Sequence, residues 1–565
     1  MRANAGTAAA PEPAALPARR ALTGWLGKDS AVALAAIVTA LAMQLHIALA
    51  RAVNWDEFWH YNITVRYARG ELSDPLQTAF TPFFAWVTAL AGSGVDHIVI
   101  IRLFMWACQI ITALAIAGTA ARFAGRMAGL LCALFYLSAA YVLQHGTSFR
   151  YDPPAAALLS VALWIVATRP LRWGWLVLAG VLTGASTLLT VKSVLYASAF
   201  AGVGLLRWSE ERFSFRTALQ LALVPASALG AFALLYWLHV QGLAGDTGTN
   251  AEAVIDRSSR KMFVFGVPPY WKAAVKAAVL SPLHTAALLA APVMIWASAR
   301  PLAERIALTG LWLPLTTLLF YHNTAPYYHV FMLAPVAMSL AGVIALVLKR
   351  YDARLVAGVL LACAAFVLWR EPESPLERQR TLVATAERIF PAGTAYFDSN
   401  GMIGKLEKAN AFMTPWGAEL YRNGAHPSLV ATAAQRPVPL VIDNDWMFAE
   451  ALHGDAPVAA LLPQDTALLR SAYVPFWGPF WIAGFNVEAV AAAQPVKVTV
   501  PGPYTLTSEA PVMIDGALRQ PGEVFTLERG AHQIGPSATP VSLRWGDRIA
   551  PPAQPAPPEP YFTGF

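Results

Sequence analysis

Eleven apolar stretches, separated by short polar breaks, constrain this chain more than any other feature. They fall at about 30–50, 98–121, 127–143, 153–168, 175–191, 193–206, 217–239, 279–297, 307–321, 328–348 and 355–369. Several are short or carry glycine, but a bilayer core asks for about 20 apolar residues per helix, and most approach that length. The composition agrees. Hydrophobic residues make up 56% of the chain and charged ones only 13%, against roughly 25% charged in a soluble protein. A polytopic α-helical membrane protein follows, and a disordered, collagenous or coiled-coil chain is excluded. The three cysteines (Cys108, Cys132 and Cys363) sit inside apolar runs. Cysteine behaves there as a small hydrophobe, with neither a disulfide framework nor a CxxC metal pair implied.

The net charge of +7 has its explanation in the loops and does not call for nucleic acid. Lys/Arg bias sets membrane orientation. Arg122 and Arg126, Arg169 and Arg172, Arg207, Arg212 and Arg216, Arg300 and Arg305, and Lys349, Arg350 and Arg354 mark alternate loops as cytoplasmic. The loops between them are poor in cations. The expected organisation is a cytoplasmic N-terminal tail over 1–29, a retained signal anchor, and a transmembrane domain over 30–370. Everything after 370 is then outside. Two outer loops, 51–97 and 240–278, are too long to be mere connectors, and long loops in compact proteins tend to carry function. The apolar stretch 79–91 is too short to span and is expected to lie along the surface or re-enter.

From 371 the composition is that of a soluble domain. Helical spacing covers 376–390, and Thr394–Asp398 and Pro437–Ile442 read as strands within an α/β region expected over 371–490. Alternation with turn signals such as Asp515-Gly516 and Pro521-Gly522 predicts a small β-sandwich over 491–549. A Pro-rich tail occupies 550–565. The whole extracytoplasmic part is expected to fold by itself, as a unit with its own core can. Trp477, Phe480 and Trp481 are candidate sugar or membrane contacts, or plain core.

Candidate chemistry clusters in the outer loops. Asp56-Glu57 stands among Trp55, Phe58, Trp59 and His60 just past the first span. One carboxylate of such a pair can act as a general base, or both can bind a divalent cation; the bland alternative is a solvated loop acid within an aromatic belt. Arg150-Tyr151-Asp152 stands at the outer end of the third span, where Asp152 could simply cap the helix begun by Pro153-Pro154. Lys192 could pair with an anionic lipid phosphate or snorkel to the interface. The turn from Tyr321 to His329 is dense in polar and aromatic groups, and its two histidines, His322 and His329, offer donors to a phosphate or a sugar, or interfacial filler. Ionisable residues near the membrane are costly, which makes them site candidates.

In this order the pieces resemble the GT-C superfamily of membrane glycosyltransferases, of the bacterial protein O-mannosyltransferase and lipid A aminoarabinose transferase types. The matching residues are Asp56-Glu57, Pro82-Phe83-Phe84-Ala85-Trp86, Arg150-Tyr151-Asp152 and Thr190-Val191-Lys192, and the resemblance spans roughly 30–370. It implies a transferase of the bacterial inner membrane that moves a hexose or pentose from a polyprenyl-phosphate donor to a glycan, lipid or protein acceptor. Asp56 would be the base, with Glu57 and Asp152 placing the acceptor or holding Mg or Mn. Lys192, Arg257, Arg260, His322, Tyr328 and His329 would serve the donor phosphate, and Trp55, His60, Arg150 and Tyr151 the acceptor. Phe58-Trp59-His60 stands where aminoarabinose transferases carry a basic residue, which leaves donor and acceptor identity open. No glycine-rich phosphate loop stands out, as suits a lipid-linked donor. Two rivals remain on sequence grounds: a transporter of lipid-linked sugars or solutes, and an envelope-anchored glycan-binding protein.

Overall fold

The computed structural model describes residues 28–562 apart from 76, 246–261, 265 and 457. The N-terminal tail to residue 27, Arg257 and Arg260 lie outside the described residues.

Every apolar stretch is helical. Among the described residues, four helices are long and apolar enough to cross a membrane: Asp29–Ala50, Gly94–Ser138, Phe215–Gln241 and Leu302–Leu319. Two bent pairs, Trp271–Leu280 with Pro282–Ala297 and Tyr328–Ser339 with Ala341–Val347, pass the same test together, and Asp152–Thr168, Trp173–Leu189 and Ala353–Trp369 are shorter apolar helices. In chain order the first are α1 (Lys28–Ala50), α2 (Trp55–Ala68), α3 (Gly94–Ser138), α4 (Ala140–His145), α5 (Asp152–Thr168), α6 (Trp173–Leu189), α7 (Ala197–Glu210) and α8 (Phe215–Gln241).

The stretches 98–121 and 127–143 share α3, which folds back on itself at Ala124-Gly125. Gly125 has φ of +79°, a conformation that favours glycine. A Cβ at Gly129 would strike the carbonyl oxygen of Ala117 and the side chain of Ala121. A straight helix would hold residues 117 and 129 about 18 Å apart.

The loops divide into two groups, as the charge pattern predicts. Arg122 pairs with Glu210, Arg207 donates to the Arg169 carbonyl (3.0 Å), and Arg300 donates to the Phe123 carbonyl (2.8 Å). The loops at 51–57, 146–152, 190–193 and 321–328 meet at the other ends of the same helices. The stretch 79–91 becomes a 3-10 helix, Thr81–Ala89. It packs on α2 through the buried Phe84 and exposes Phe83 and Trp86.

Beyond the helix Leu376–Ile389, strands β1 (Ala395–Phe397), β2 (Glu407–Lys408), β3 (Leu440–Ile442), β4 (Tyr473–Trp477), β5 (Phe480–Val487), β6 (Gln494–Val498), β7 (Gly502–Thr507), β8 (Val512–Ile514), β9 (Ala517–Arg519), β10 (Val524–Leu527), β11 (Gly530–Ile534) and β12 (Val541–Trp545) build two sheets. One has the order β10-β7-β12-β5-β3-β1-β2 with β4 also on β5; the other is β6-β11-β8-β9. The boundary expected at 490 falls inside the larger sheet, because β12 pairs with β5 from Val541 opposite Val487 to Arg544 opposite Gly484. A sandwich does form, with Leu506, Ile514, Ile534 and Leu543 between its layers. One of those layers belongs equally to the α/β part.

This region has buried clusters of its own, one around Phe397, Val441 and Phe448 and one between the sandwich layers, and it shares a further one with the helical part. Phe58, Tyr61 and Val65 of α2 share one buried cluster with Leu382, Tyr396, Met402, Ile403, Leu440 and Phe480. Burying a large apolar side chain is worth about 1.5–3 kcal/mol, so this shared cluster binds the two regions firmly. Tyr61 sits between Gly94 and Gly404, where added Cβ atoms would come within 2.9 and 2.5 Å of its ring. Polar ties reinforce the seam: Arg51–Glu371 at 2.8 Å, Arg380–Asp96 at 2.7 Å, and Gln379 bonded to both Val53 backbone groups. Part of the apolar surface of 371–565 is thus covered by α2. Trp477, Phe480 and Trp481 are core, and the Pro-rich tail is pinned where the Trp477 indole donates to the Gln554 carbonyl (2.8 Å) and Phe562 meets Phe58 edge-on.

Candidate active site

The site begins with a helix start that the local sequence dictates. Asn54 caps α2 by accepting from the Asp56 amide (2.9 Å), and the Glu57 carboxylate reaches back to the Asn54 amide (2.9 Å). This is the reciprocal capping box that Asn-x-x-Glu permits. It sends the two adjacent acids in different directions.

Glu57 points inward and is 1% exposed. Its carboxylate accepts from Arg102 Nε (2.8 Å) and Nη2 (2.6 Å) and from the Phe149 amide (2.7 Å). Burial opposes its charge, but Arg102 and these hydrogen bonds outweigh burial and hold its pKa below the usual glutamate range. Arg102 also donates to the carbonyls of Ala48, Arg51 and Ala52. Arg102 is a charge inside the apolar stretch 98–121. Its partner is Glu57, and together they lock the end of α1 to the start of α2.

Asp56 stays 15% exposed and pairs with Arg150. Arg150 Nε lies 3.5 Å from Asp152, and Lys192 Nζ lies 2.5 Å from the other oxygen of Asp152. Three segments thus build one run of alternating charge: Asp56, Arg150, Asp152, Lys192. Burial works against the Arg150 charge, yet Asp56 and its other neighbours raise its basicity well above the usual value. Aromatic rings wall the cations. The Arg150 guanidinium stands 3.2 Å from the Tyr327 ring centre, and Lys192 is 4.6 Å from Tyr151 and 5.5 Å from Tyr328, distances at which cation–π attraction operates. Lys192 is buried and does not snorkel. Asp152 is a charge partner of Lys192 and no mere helix cap.

The other candidates divide. His60 lies one turn past Asp56, fully buried between Trp59, Phe80, Phe149 and Tyr151, with neither ring nitrogen hydrogen-bonded. Tyr328 bonds Thr317 (2.7 Å) and faces Lys192. His329 points away, packing on Tyr141. His322 is half-buried in the turn. The long loop 240–278 joins this turn at its described end, where the Val264 amide donates to the Phe320 carbonyl (2.7 Å) and Phe263 bridges Tyr321. Trp55 stacks on Phe412 at 5.8 Å. Tyr327, within the turn singled out by its aromatic density, is the cation's nearest aromatic partner and was not assigned a role.

The residues expected to hold a divalent cation do not fit one. Both Glu57 oxygens are taken by Arg102 and backbone donors, Asp152 is held by Lys192 with Arg150 beside it, and a dication would be repelled by all three cations. Among the described residues no group of three or more His, Cys, Asp or Glu side chains is placed to bind a metal.

No family model matches the chain, and no curated protein matches it. Solved structures do match. ArnT from Cupriavidus metallidurans bound to undecaprenyl phosphate aligns with 65% of this chain and 71% of its own, at 19% identity and a TM-score of 0.40. The Archaeoglobus fulgidus oligosaccharyltransferase covers 90% of this chain and 77% of its own, at 11% identity and 0.42. The arabinosyltransferase EmbB from Mycobacterium smegmatis covers 93% and 63%, at 11% and 0.43. These structures are GT-C glycosyltransferases, the class whose motifs the sequence resembles.

Proposed function

We propose that this chain is a GT-C-type membrane glycosyltransferase that moves a sugar from a polyprenyl-phosphate donor to an acceptor hydroxyl at the outer face, with Asp56 as general base. The observation that carries this reading is the Asp56–Arg150–Asp152–Lys192 run, assembled from three segments distant in sequence beside an aromatic turn. A structural ion-pair cluster would not need its one accessible carboxylate at the edge. The four charges cancel, so an incoming phosphate diester must compete for a cation. Arg150 is the one it would win from Asp56, since the Lys192–Asp152 pair is buried deeper.

Freed of its guanidinium, Asp56 accepts the proton of the acceptor hydroxyl. The acceptor oxygen then bonds to the anomeric carbon as the bond from that carbon to the phosphate oxygen breaks. The polyprenyl phosphate leaves as an anion neutralised by Arg150 and Lys192, and direct displacement inverts the anomeric centre. Preorganised groups that stabilise charge where it develops commonly supply most of the rate enhancement in such catalysis. Glu57 is a positioning residue in this scheme. The N-terminus is cytoplasmic, and the region after 370 covers the outer mouth of the site.

The test is transfer by purified protein in lipid nanodiscs, supplied with radiolabelled polyprenyl-phosphate sugars and membrane extract as the acceptor source. Asp56→Asn should lower turnover by at least about 10²-fold, the low end of general-base contributions, in protein that remains folded. Transfer at the wild-type rate by that variant would refute the assignment.

A further inference from the structure

A cavity of about 610 Å³ opens between the start of α2 and the C-terminal region, distinct from the charge run but touching it through Trp55, the residue before Asp56. Its walls combine two kinds of surface. Trp55, Trp446 and Phe562 offer aromatic faces, and Asn400, Asn444 and Asp445 offer hydrogen-bonding groups. Trp446 is 56% exposed, an unusual place for a tryptophan without a partner.

Asn444 is the telling residue. It is 8% exposed, and its amide nitrogen is fixed by the fully buried Asp398 carboxylate (3.1 Å). That carboxylate is itself held by the Gly401 and Met402 amides and by Lys408 (2.7 Å). With its nitrogen pinned, the Asn444 Oδ1 is buried with no hydrogen-bond partner. Leaving such an acceptor unsatisfied costs about 1–3 kcal/mol, and a donor on a ligand would recover it. Asp445, whose acidity burial weakens, adds acceptor atoms at the cavity edge.

We propose that this cavity binds a saccharide, so that the acceptor of the transfer is a glycan. The inference rests on the glycosyltransferase reading and narrows it. A sugar ring has apolar C–H faces that suit aromatic side chains and equatorial hydroxyls that both donate and accept. The mixed lining matches that pattern. An acyl chain would leave the Asn444 Oδ1 unsatisfied. The volume lies within the range of pockets that enclose small ligands and suits about two sugar rings. Bound there, a terminal residue meets Trp55 at the first turn of α2, whose next side chain is the Asp56 base.

Binding can be tested apart from catalysis. Full-length protein in nanodiscs is titrated with soluble manno-, gluco-, arabino- and N-acetylglucosamine trisaccharides and with a Ser/Thr-rich peptide, read by saturation-transfer NMR and tryptophan fluorescence. At least one trisaccharide should saturate. Trp446→Ala and Asn444→Ala should each weaken it tenfold or more, while undecaprenyl phosphate binding stays at the wild-type level. Because Trp446 is largely exposed, its variant keeps the test open if Asn444→Ala fails to fold. Asp56→Asn should retain saccharide binding, so failure of the transfer scheme and failure of this site are separable. Saturable binding of the peptide alone, of no trisaccharide, or of a trisaccharide indifferent to both substitutions would overturn the proposal.

Discussion

Glu57→Gln separates the structural acid from the chemical one. In the native protein four donors converge on the Glu57 carboxylate: two from Arg102 and one each from the Phe149 and Asn54 amides. A glutamine can accept at one oxygen, but its amide group then presents hydrogen to donors at the other. Arg102 keeps its charge at 3% exposure with half its pairing gone. Charge-assisted bonds are worth about 1.5–3 kcal/mol each, and removing one partner of a buried ion pair costs about 3–5 kcal/mol in all. The second figure contains the first and is the expected loss, a large fraction of a net stability of about 5–15 kcal/mol. Thermal unfolding of detergent-purified protein, followed by tryptophan fluorescence and by the monodisperse fraction after heating, measures it. The double variant Glu57→Leu/Arg102→Met should recover the part due to the unpaired charge but not the part due to the Phe149 and Asn54 amides and the Ala48, Arg51 and Ala52 carbonyls that lose their partners. A Glu57→Gln variant melting within about 1 °C of wild type, where each kcal/mol moves a midpoint by several degrees in small domains and by less in larger ones, would refute the reasoning. Activity lost at unchanged stability would move Glu57 into the chemistry.

Three further outcomes follow from the packing. Lys192→Ala leaves Asp152 buried beside a single cation at 3.5 Å, so it should destabilise by about 3–5 kcal/mol as well as weaken lipid-phosphate binding; full stability in a thermal melt would contradict the buried pairing. Residues 371–565 expressed alone should expose the surface that meets Phe58, Tyr61 and Val65 and bind a hydrophobic dye, and Gly404→Ala in the full chain should lower the melting temperature by displacing Tyr61. A compact, dye-free monomer from the isolated region would count against the shared core. Burial, helped by Arg150 and Lys192, holds His60 well below the usual histidine range, so it is neutral in the folded protein. The unfolded chain takes up that proton below about pH 6.5. The stability His60 contributes is thus intact above pH 6.5 and falls by up to about 1.4 kcal/mol per pH unit as pH drops towards the folded value. His60→Phe should flatten the loss between pH 6.5 and 5 in a melting series, and an unchanged slope would refute it. Glu57 enters only lower, below the ordinary glutamate range.

The sequence by itself determined the elements. Apolar length and loop charge are local properties, and they placed the helices, the two groups of loops and the acids and cations that assemble at one end. Asp56, Arg150, Asp152 and Lys192 were legible as ionisable residues that membrane proximity makes costly. What each one touches was decided by tertiary structure. Adjacent acids leave a helix about 100° apart, so one residue's difference sends Glu57 to Arg102 and Asp56 to Arg150. No spacing rule links position 57 to 102 or 152 to 192. The same holds for the seam between the regions. Composition changes at 371 because solvent replaces lipid there, but β12 pairs with β5 across position 490, and Tyr61 fits between Gly94 and Gly404. Strand partners and shared cores depend on contacts between residues hundreds of positions apart, which hydropathy, read locally, does not contain.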